Sequence, residues 1–278
     1  MTYPFLKGHG TENDFVLLPD HDGTLHGDLS AQEMAQRVRA LCDRRAGIGG
    51  DGVLRVIRTA AYDAVADDGS AWFMDYRNSD GSFSEMCGNG IRLFARHLVD
   101  EGLADGSAPI PVGTRDGVKL LTVDGDAITA DLGSPKVLGE TLISVERREL
   151  GARHVDMGNP HAVAFVSSLD DAGSLRVAPG HDLDVFPDGV NVEFVVRRGE
   201  RHVAMRVHER GSGETRSCGT GAGAVMVAAA VDDGVSRDED VAYRVDVPGG
   251  TLMVTWTVDD RVLLTGPAVV VASGSTSL

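Results

Sequence analysis

Short apolar runs separated by turn residues dominate the chain. They read VLRVI, AWFMDYR, HAVAFV, VNVEFVV, HVAMRVHER and GTLMVTWTV, at residues 53–57, 71–77, 161–166, 190–196, 202–210 and 250–258. Runs of this length that are rich in β-branched and aromatic residues are typical of β-strands. The pattern predicts a protein in which sheet is more abundant than helix. The polar tail ASGSTSL at residues 272–278 is expected to be disordered.

Three segments show helical periodicity instead. Residues 30–45 open with Ser30 as a candidate N-cap and Glu33 three residues later, which is the capping-box pattern. A second helix is predicted after Cys87, with one apolar face. A third is predicted after Cys218 and is apolar on all sides, as expected of a helix enclosed by sheet.

The segments around the two cysteines form an internal repeat. EMCGNGIRLFARHLVDEG at 85–102 and RSCGTGAGAVMVAAAVDDG at 216–234 both place a cysteine before a glycine-rich turn and a helix that ends at a glycine. A methionine precedes each cysteine by 13 residues. Further upstream, DGV at 51–53 is matched with DGV at 188–190, and the asparagine before DFV with the asparagine before PHAVAFV.

The order of these landmarks predicts two similar halves. We expect an α+β fold of two pseudo-symmetric domains, each a curved, mostly antiparallel or mixed sheet wrapped around a central helix. The first domain would comprise residues 1–132 with 267–278 and the second residues 133–266, with a boundary near DLGSPKVLGE at 131–140. A cleft between the halves would carry both cysteines.

Composition and charge argue against several classes of protein. The 278 residues are 42% hydrophobic, which is enough for a well-packed core, and the net charge of −16 disfavours nucleic-acid and membrane partners. No run approaches about 18 apolar residues and no signal-peptide pattern opens the chain, so a cytoplasmic location is predicted. Three cysteines do not form a disulfide framework, and the histidines and cysteines lack metal-site spacing, so no metal is expected.

Each of the repeated cysteines is placed for acid–base chemistry. At the first turn of a helix, unsatisfied N–H groups and the helix dipole lower a thiol pKa from about 8.5 toward neutrality. Glycines at 88, 90, 219 and 221 leave room for a substrate carboxylate beside the same N–H groups. One thiolate could remove a proton from one face of a carbon while the opposite thiol delivers a proton to the other. The arrangement predicts stereochemical inversion.

Motifs along the whole chain are specific in combination. They are MCGNGIR and ETRSCGTGAGA, with ENDFV, RNSDGS, GNPHAV, GVNVEF and HERG in order. Together they resemble those of diaminopimelate epimerases. The resemblance implies a cofactor-independent isomerase of lysine and peptidoglycan precursor biosynthesis that interconverts LL- and meso-diaminopimelate without pyridoxal phosphate. A small-molecule substrate is thus the expected partner, and a homodimer is an open expectation.

The resemblance also implies the roles of individual residues. Cys87 and Cys218 would be the two acid/base groups. The reacting carboxylate would be held by backbone N–H groups of Gly88, Asn89, Gly219 and Thr220. The remaining amino and carboxyl groups would be contacted by Asn13, Asn78, Asn159, Asn191, Glu209 and Arg210. Two residues, His161 and Glu209, would modulate the cysteines.

These residue types suit a substrate with two amino and two carboxyl groups. Amides are neutral partners, a guanidinium pairs with a carboxylate in a fork, and a carboxylate pairs with an ammonium. Asn78 and Glu209 occupy equivalent positions, each nine residues before its cysteine. Two departures from the family pattern affect the expected contacts. Thr11 and Glu12 stand where a glycine-rich step is common, and Gly52 stands where some members carry Gln.

Plainer interpretations apply to several of these positions. Cys42, inside the first predicted helix, is interpreted as a buried apolar residue without function. His161 beside a proline and Asn78 before SDG could serve as turn residues alone. GIGGDG at 47–52 fits G-x-G-x-x-G, but a β-rich run follows it, so a dinucleotide site is not predicted.

Two alternative functions remain open. Proline or hydroxyproline racemases resemble the paired-cysteine pattern, although a small cyclic substrate would not need Arg210. From a different class, a thiol-disulfide redox protein could link Cys87 with Cys218 reversibly.

Overall fold

The chain folds into two compact units. The computed structural model describes residues 2–62 and 68–278. One unit comprises Met1–Ala130 and Pro267–Leu278, and the other comprises Asp131–Gly266. In each unit a sheet packs around one long helix, so the predicted α+β class is confirmed.

Strands outnumber helices in the described residues, as the apolar runs predicted. The strands are β1 (Tyr3–Gly10), β2 (Asn13–Pro19), β3 (Gly52–Arg58), β4 (Trp72–Asn78), β5 (Ile110–Thr114), β6 (Gly117–Asp124), β7 (Ala127–Asp131), β8 (Lys136–Val145), β9 (Arg148–Asp156), β10 (Pro160–Phe165), β11 (Gly180–His181), β12 (Asn191–Gly199), β13 (His202–Glu209), β14 (Gly213–Thr215), β15 (Val241–Val247), β16 (Gly250–Trp256), β17 (Val262–Pro267) and β18 (Val269–Thr276). The helices are α1 (Ala31–Cys42), α2 (Gly88–Asp100) and α3 (Gly219–Asp232), with single 3₁₀ turns at Thr59–Ala61 and Leu169–Ala172.

The sheet of the first unit is mixed. Its strands pair in the order β18–β1–β2–β3–β4–β5–β6–β7. The pairs β2–β3 and β4–β5 are parallel and the other neighbours are antiparallel. Parallel neighbours need a crossover connection, and α1 and α2 lie in the two crossovers.

Helix α2 forms the core of the first unit. Only one face of its sequence is apolar, yet every residue from Gly88 to Ala95 is buried. Its apolar side chains pack against residues of the surrounding strands, and burial of each large one stabilises the fold by about 1.5–3 kcal/mol. Because the helix is enclosed, its polar residues Asn89, Arg92 and His97 are buried as well.

Helix α1 packs on a separate apolar cluster. The predicted capping box is present, with Ser30 N donating to Glu33 Oε2 at 2.8 Å and Glu33 N donating to Ser30 Oγ at 3.3 Å. Cys42 is buried in this cluster, and burial raises the pKa of its thiol to about 12. The prediction that Cys42 is a buried core residue is confirmed.

The second unit repeats the strand pairing of the first. Its strands pair in the order β11–β8–β9–β10–β12–β13–β15–β16–β17, with β14 also paired to β13. The parallel pairs are β10–β12 and β13–β15, and the second crossover contains α3. All residues from Gly221 to Ala230 are buried, as the apolar sequence of α3 predicted.

The strand register corrects one part of the predicted repeat. Val53 lies opposite Arg77, and Val192 lies opposite His208. Arg77 and His208 precede their cysteines by the same number of residues, so the two registers are equivalent. Residue 52 therefore corresponds to residue 191. The predicted match of DGV at 51–53 with DGV at 188–190 was wrong, because the loops before the two strands differ.

The C-terminal tail is ordered. Within β18 and β1, the pairing runs antiparallel from Thr276 opposite Tyr3 to Val269 opposite His9. The predicted disorder was wrong, because pairing through the backbone does not require apolar side chains. Within residues 2–62 and 68–278, no helix has the length and apolar character needed to cross a membrane.

Candidate active site

Cys87 and Cys218 occupy the same position in their units, each as the N-cap of a helix. Cys87 Sγ accepts a hydrogen bond from the N–H of Gly90 at 3.4 Å, and Cys218 Sγ accepts one from Gly221 at 3.3 Å. Both cysteines have extended backbone, with φ of −138° and −119°. The prediction that each cysteine opens a helix is confirmed.

The first turns of α2 and α3 offer N–H donors to an anion. Residues 88 and 89 begin α2, and residues 219 and 220 begin α3. N–H groups at such positions have no acceptor inside the helix and lie at the positive end of its dipole. At 221 a Cβ would lie 2.8 Å from Glu193 Oε1, so any larger residue would displace that carboxylate. Binding of the reacting carboxylate at these turns stays a prediction.

Cys218 lies in an anionic, buried environment. Burial raises the pKa of its thiol well above the usual value, and the carboxylates of Glu209 and Glu193 act in the same direction. Hydrogen bonds from Thr220 and Gly221 oppose them but are outweighed. The expectation that the helix N-terminus lowers the thiol pKa was therefore wrong for Cys218. The thiol, and not the thiolate, is the stable form at this position.

The carboxyl group of Glu209 is hydrogen-bonded to the side chain of Cys218. Burial raises the pKa of its carboxyl group, while hydrogen bonds with Thr215 and Cys218 lower it. The charge of Glu193 also raises the pKa of Glu209. A carboxylate whose pKa is raised is a stronger base toward a neighbouring thiol, so it can exchange a proton with that thiol more readily.

His161 is connected to the same group of side chains. Its Nδ1 lies 2.7 Å from Glu193 Oε1 and its Nε2 lies 3.0 Å from Asn159 Oδ1. Asn159 Nδ2 donates to Thr220 Oγ1 at 3.4 Å, and that hydroxyl lies 3.6 Å from Cys218 Sγ. Cys218 thus lies in one group with four other predicted residues, which are Glu209, His161, Asn159 and Thr220.

Cys87 lies in a different environment. Its thiol donates to Asn13 Oδ1 at 3.5 Å, and Asn89 Nδ2 donates to the same oxygen at 3.2 Å. The fully buried guanidinium of Arg92 lies one contact further, 3.0 Å from Asn89 Oδ1. Burial lowers the pKa of Arg92 to about 10, and the charge of Cys87 acts in the opposite direction. Near Cys87, the Arg92 guanidinium is reached through the amides of Asn13 and Asn89 and the Asp51 carboxylate through Asn13, whereas two carboxylates raise the pKa of Cys218.

The side chains of two predicted binding residues, Asn78 and Asn191, make hydrogen bonds within the protein, and their substrate-binding roles stay predictions. Asn78 accepts from Tyr76 Oη at 2.9 Å and donates to Ser82 Oγ at 3.0 Å, which is the turn role considered for it. Asn191 Nδ2 donates to Pro160 O at 3.0 Å. Its Oδ1 accepts from the backbone N–H of Arg210 at 2.9 Å.

The departures from the family pattern lie in a hairpin turn and at a tightly packed strand position. Thr11 and Glu12 form the two-residue turn between β1 and β2, with φ of 48° and 61°. Such hairpin turns favour glycine or asparagine, because both residues adopt the left-handed region. At Gly52 a Cβ would lie 2.6 Å from Arg77 O, so this position offers no side chain to a substrate.

A match to a known family decides between the predicted functions. The family model described as diaminopimelate epimerase matches residues 5–138 and 153–271. A diaminopimelate epimerase of Streptomyces coelicolor is 55% identical over 280 residues, which cover 97% of this chain and 94% of that protein. The chain belongs to the diaminopimelate epimerase family.

Solved structures show that the fold of this diaminopimelate epimerase family member is shared more widely. A phenazine biosynthesis protein of the PhzF family from Bacillus anthracis aligns over 100% of both chains, with a TM-score of 0.75 and 18% identity. A hydroxyproline epimerase from Agrobacterium vitis aligns over 100% of this chain and 93% of its own, with a TM-score of 0.68 and 14% identity. At these identities the likeness shows the fold alone.

Three charged residues of this family member were missed by the sequence analysis. Glu193 and Arg92 are charged residues inside runs that are otherwise apolar, which is the signal that could have singled them out. Asp51 directly precedes β3 and accepts a hydrogen bond from the Asn13 amide at 2.7 Å. Glu193 and Asp51 have partners from distant parts of the chain, and so does Arg92 in its contact with Thr11, so sequence spacing does not reveal these contacts.

Proposed function

We propose that this protein interconverts LL- and meso-diaminopimelate by a two-base mechanism in which Cys87 and Cys218 are the acid and the base. The observation that carries the proposal is the repeated N-cap position of the two cysteines in a chain of this family. Each cysteine has a helix N-terminus beside it that suits a carboxylate. The relatives' name supplies the substrate.

The charges around the two cysteines support different roles at the start of the reaction, one as the acid and the other as the base. The pKa of Cys218 is raised by burial and by two carboxylates, so Cys218 would begin as the proton donor. Arg92 is a cation near Cys87 and would favour the loss of the proton that the Cys87 thiol donates to Asn13, so Cys87 would act first as the base. The Cys87 thiolate would remove the α-proton, leaving its electron pair on the substrate, and the Cys218 thiol would protonate the opposite face. The reverse reaction then begins from the exchanged protonation state.

The remaining predicted residues would hold the substrate. Asn13 and Asn159 present amides beside the two cysteines, and Arg210 carries a guanidinium suited to a carboxylate. Glu209 and His161 would adjust the protonation of Cys218. The net charge of −16 argues against nucleic-acid and membrane partners.

Solvent exchange tests the proposal. In deuterated water, LL-diaminopimelate should yield a meso product that carries deuterium at the inverted carbon, because the entering proton comes from a second thiol. Replacement of either Cys87 or Cys218 by Ala should abolish epimerisation while circular dichroism shows an intact fold. Retention of the substrate hydrogen, or substantial turnover by either variant, would contradict two-base catalysis. Turnover of proline by the parent protein would favour the racemase alternative.

A further inference from the structure

Two amide side chains beside Cys87 lie between a cation and an anion. Arg92 Nη2 donates to Asn89 Oδ1 at 3.0 Å, and Asn89 Nδ2 donates to Asn13 Oδ1 at 3.2 Å. Asn13 Nδ2 in turn donates to Asp51 Oδ2 at 2.7 Å. The result is a continuous chain of hydrogen bonds from Arg92 to Asp51 that passes Cys87.

The charged ends of this chain give each amide a single orientation. A guanidinium only donates hydrogen bonds, so the oxygen of Asn89 must face Arg92. A carboxylate only accepts, so the nitrogen of Asn13 must face Asp51. Both requirements direct Asn13 Oδ1 toward Asn89 Nδ2 and toward Cys87 Sγ, which lies 3.5 Å away.

We propose that Asp51 and Arg92 are positioning residues that hold the carbonyl oxygen of Asn13 at Cys87, where it receives the ammonium group of the substrate. The inference rests on the proposed function, in which Asn13 is one of the residues that hold diaminopimelate. An ammonium needs an acceptor, and an Asn13 amide turned by half a rotation would present N–H donors to it instead.

The burial of Arg92 supports this role. In the described part of the chain its hydrogen bonds are to neutral oxygens, among them Gly88 O at 3.2 Å and Thr11 Oγ1 at 3.4 Å, and no carboxylate pairs with it. Burying a guanidinium without a carboxylate partner is costly, and an apolar side chain would fill the same space without that cost. Orientation of the Asn89 amide by Arg92 accounts for a charged residue at this position.

Asp51 is itself firmly held. Its Oδ1 accepts from Arg44 at 2.6 Å, and its Oδ2 also accepts from the N–H of Asp14 at 3.1 Å. A carboxylate fixed by these contacts can fix the amide of Asn13 in turn. The neighbouring carboxylate of Asp14 binds Lys7 and shares Arg44 with Asp51, whereas the Asn13 amide donates to Asp51, so Asp14 provides a matched control within the same charged cluster.

Steady-state kinetics with LL-diaminopimelate test the proposal in the full-length protein. Asp51→Asn should raise KM about tenfold or more while kcat falls less than about threefold, because a neutral side chain no longer fixes the Asn13 amide. Asp14→Asn, which removes a charge from the same cluster, should leave KM within about twofold of the parent value. Should Asp51→Asn fail to fold by circular dichroism, Asp51→Ala removes the same contact.

A second measurement does not depend on turnover. Iodoacetamide should alkylate Cys87 several times faster in Asp51→Asn than in the parent at neutral pH, because the loss of a carboxylate and a freed amide both favour the thiolate. Mass spectrometry of the Cys87 peptide measures the rate. A KM unchanged in Asp51→Asn, or equal changes in Asp14→Asn, would overturn the proposal. If the parent protein does not act on diaminopimelate, the proposed function fails and the alkylation rates alone decide whether Asp51 controls the Cys87 site.

Discussion

His161 Nδ1 and Glu193 Oε1 lie 2.7 Å apart, and neither side chain exposes any surface to solvent. Glu193 lies in the buried strand β12 and His161 in its parallel neighbour β10. The second carboxylate oxygen of Glu193 is buried and has no hydrogen-bond partner among the described residues. The contact with His161 is therefore the side-chain hydrogen bond that compensates the burial of Glu193 among the described residues.

Removal of either member should destabilise the protein strongly. Glu193→Ala or His161→Ala should each lower the free energy of unfolding by about 3–5 kcal/mol, because the remaining partner stays buried without its contact. The double variant should lose markedly less than the sum of the two. Urea unfolding of all four proteins gives the coupling free energy. Strictly additive losses would show that the contact contributes nothing of its own.

The fold was more predictable from sequence than the site. Apolar periodicity and the capping pattern at Ser30 identified the helices, because those signals are local. The pKa of Cys218 was predicted in the wrong direction, since its direction depends on burial and on carboxylates that the fold brings from β12 and β13. For the same reason, Arg92 and Asp51 were missed: their shared link through two amides exists only after strands and helix have packed.

A buried histidine should make the stability of the first unit depend on pH. Burial lowers the pKa of His26 to about 4, and its Nδ1 lies 2.9 Å from Arg37, which can only donate a hydrogen bond. The neutral ring is therefore the folded form. In the unfolded chain, His26 has its ordinary pKa of about 6.5 and binds a proton below that pH. The contribution of His26 to the free energy of unfolding is therefore fully present above about pH 6.5 and is lost as pH falls toward about 4.

Substitution of His26 by Phe isolates this contribution. Phenylalanine keeps a ring against Tyr3, whose ring centroid lies 4.8 Å from that of His26, but it does not titrate. Between about pH 7 and pH 4 the parent should lose roughly 2–3 kcal/mol more unfolding free energy than His26→Phe. Urea unfolding at both pH values measures the difference. Parallel losses in the two proteins would place the acid sensitivity elsewhere.

The turn between β1 and β2 should be improved by glycine. Glu12 has a φ of 61°, a region that costs a residue with a side chain about 1–2 kcal/mol. Glu12→Gly removes this cost but adds some entropy to the unfolded chain, so a net gain of about 0.5–1 kcal/mol is expected. Thermal unfolding measures it. Glu12→Ala is the control, since alanine keeps the Cβ and should bring no comparable gain.

Arg210 should discriminate between substrates with and without a distal carboxylate. Its side chain is exposed, and Nη1 makes a long contact of 3.5 Å with Asp188 O. Among the described residues, no carboxylate pairs with the Arg210 guanidinium. Arg210→Lys keeps the charge but loses the fork, which is worth roughly 1.5–3 kcal/mol in a charge-assisted contact. The kcat/KM for diaminopimelate should fall about ten- to a hundredfold.

Lysine provides the matched comparison, because it has an amino acid head group but no distal carboxylate. It should be a poor substrate of the parent protein, and Arg210→Lys should change its turnover little. Measuring both substrates with both proteins separates distal binding from a role at the reacting carbon. An equal loss for lysine and diaminopimelate would assign Arg210 to the reacting centre or to the fold, where its backbone N–H already holds the side chain of Asn191 at 2.9 Å.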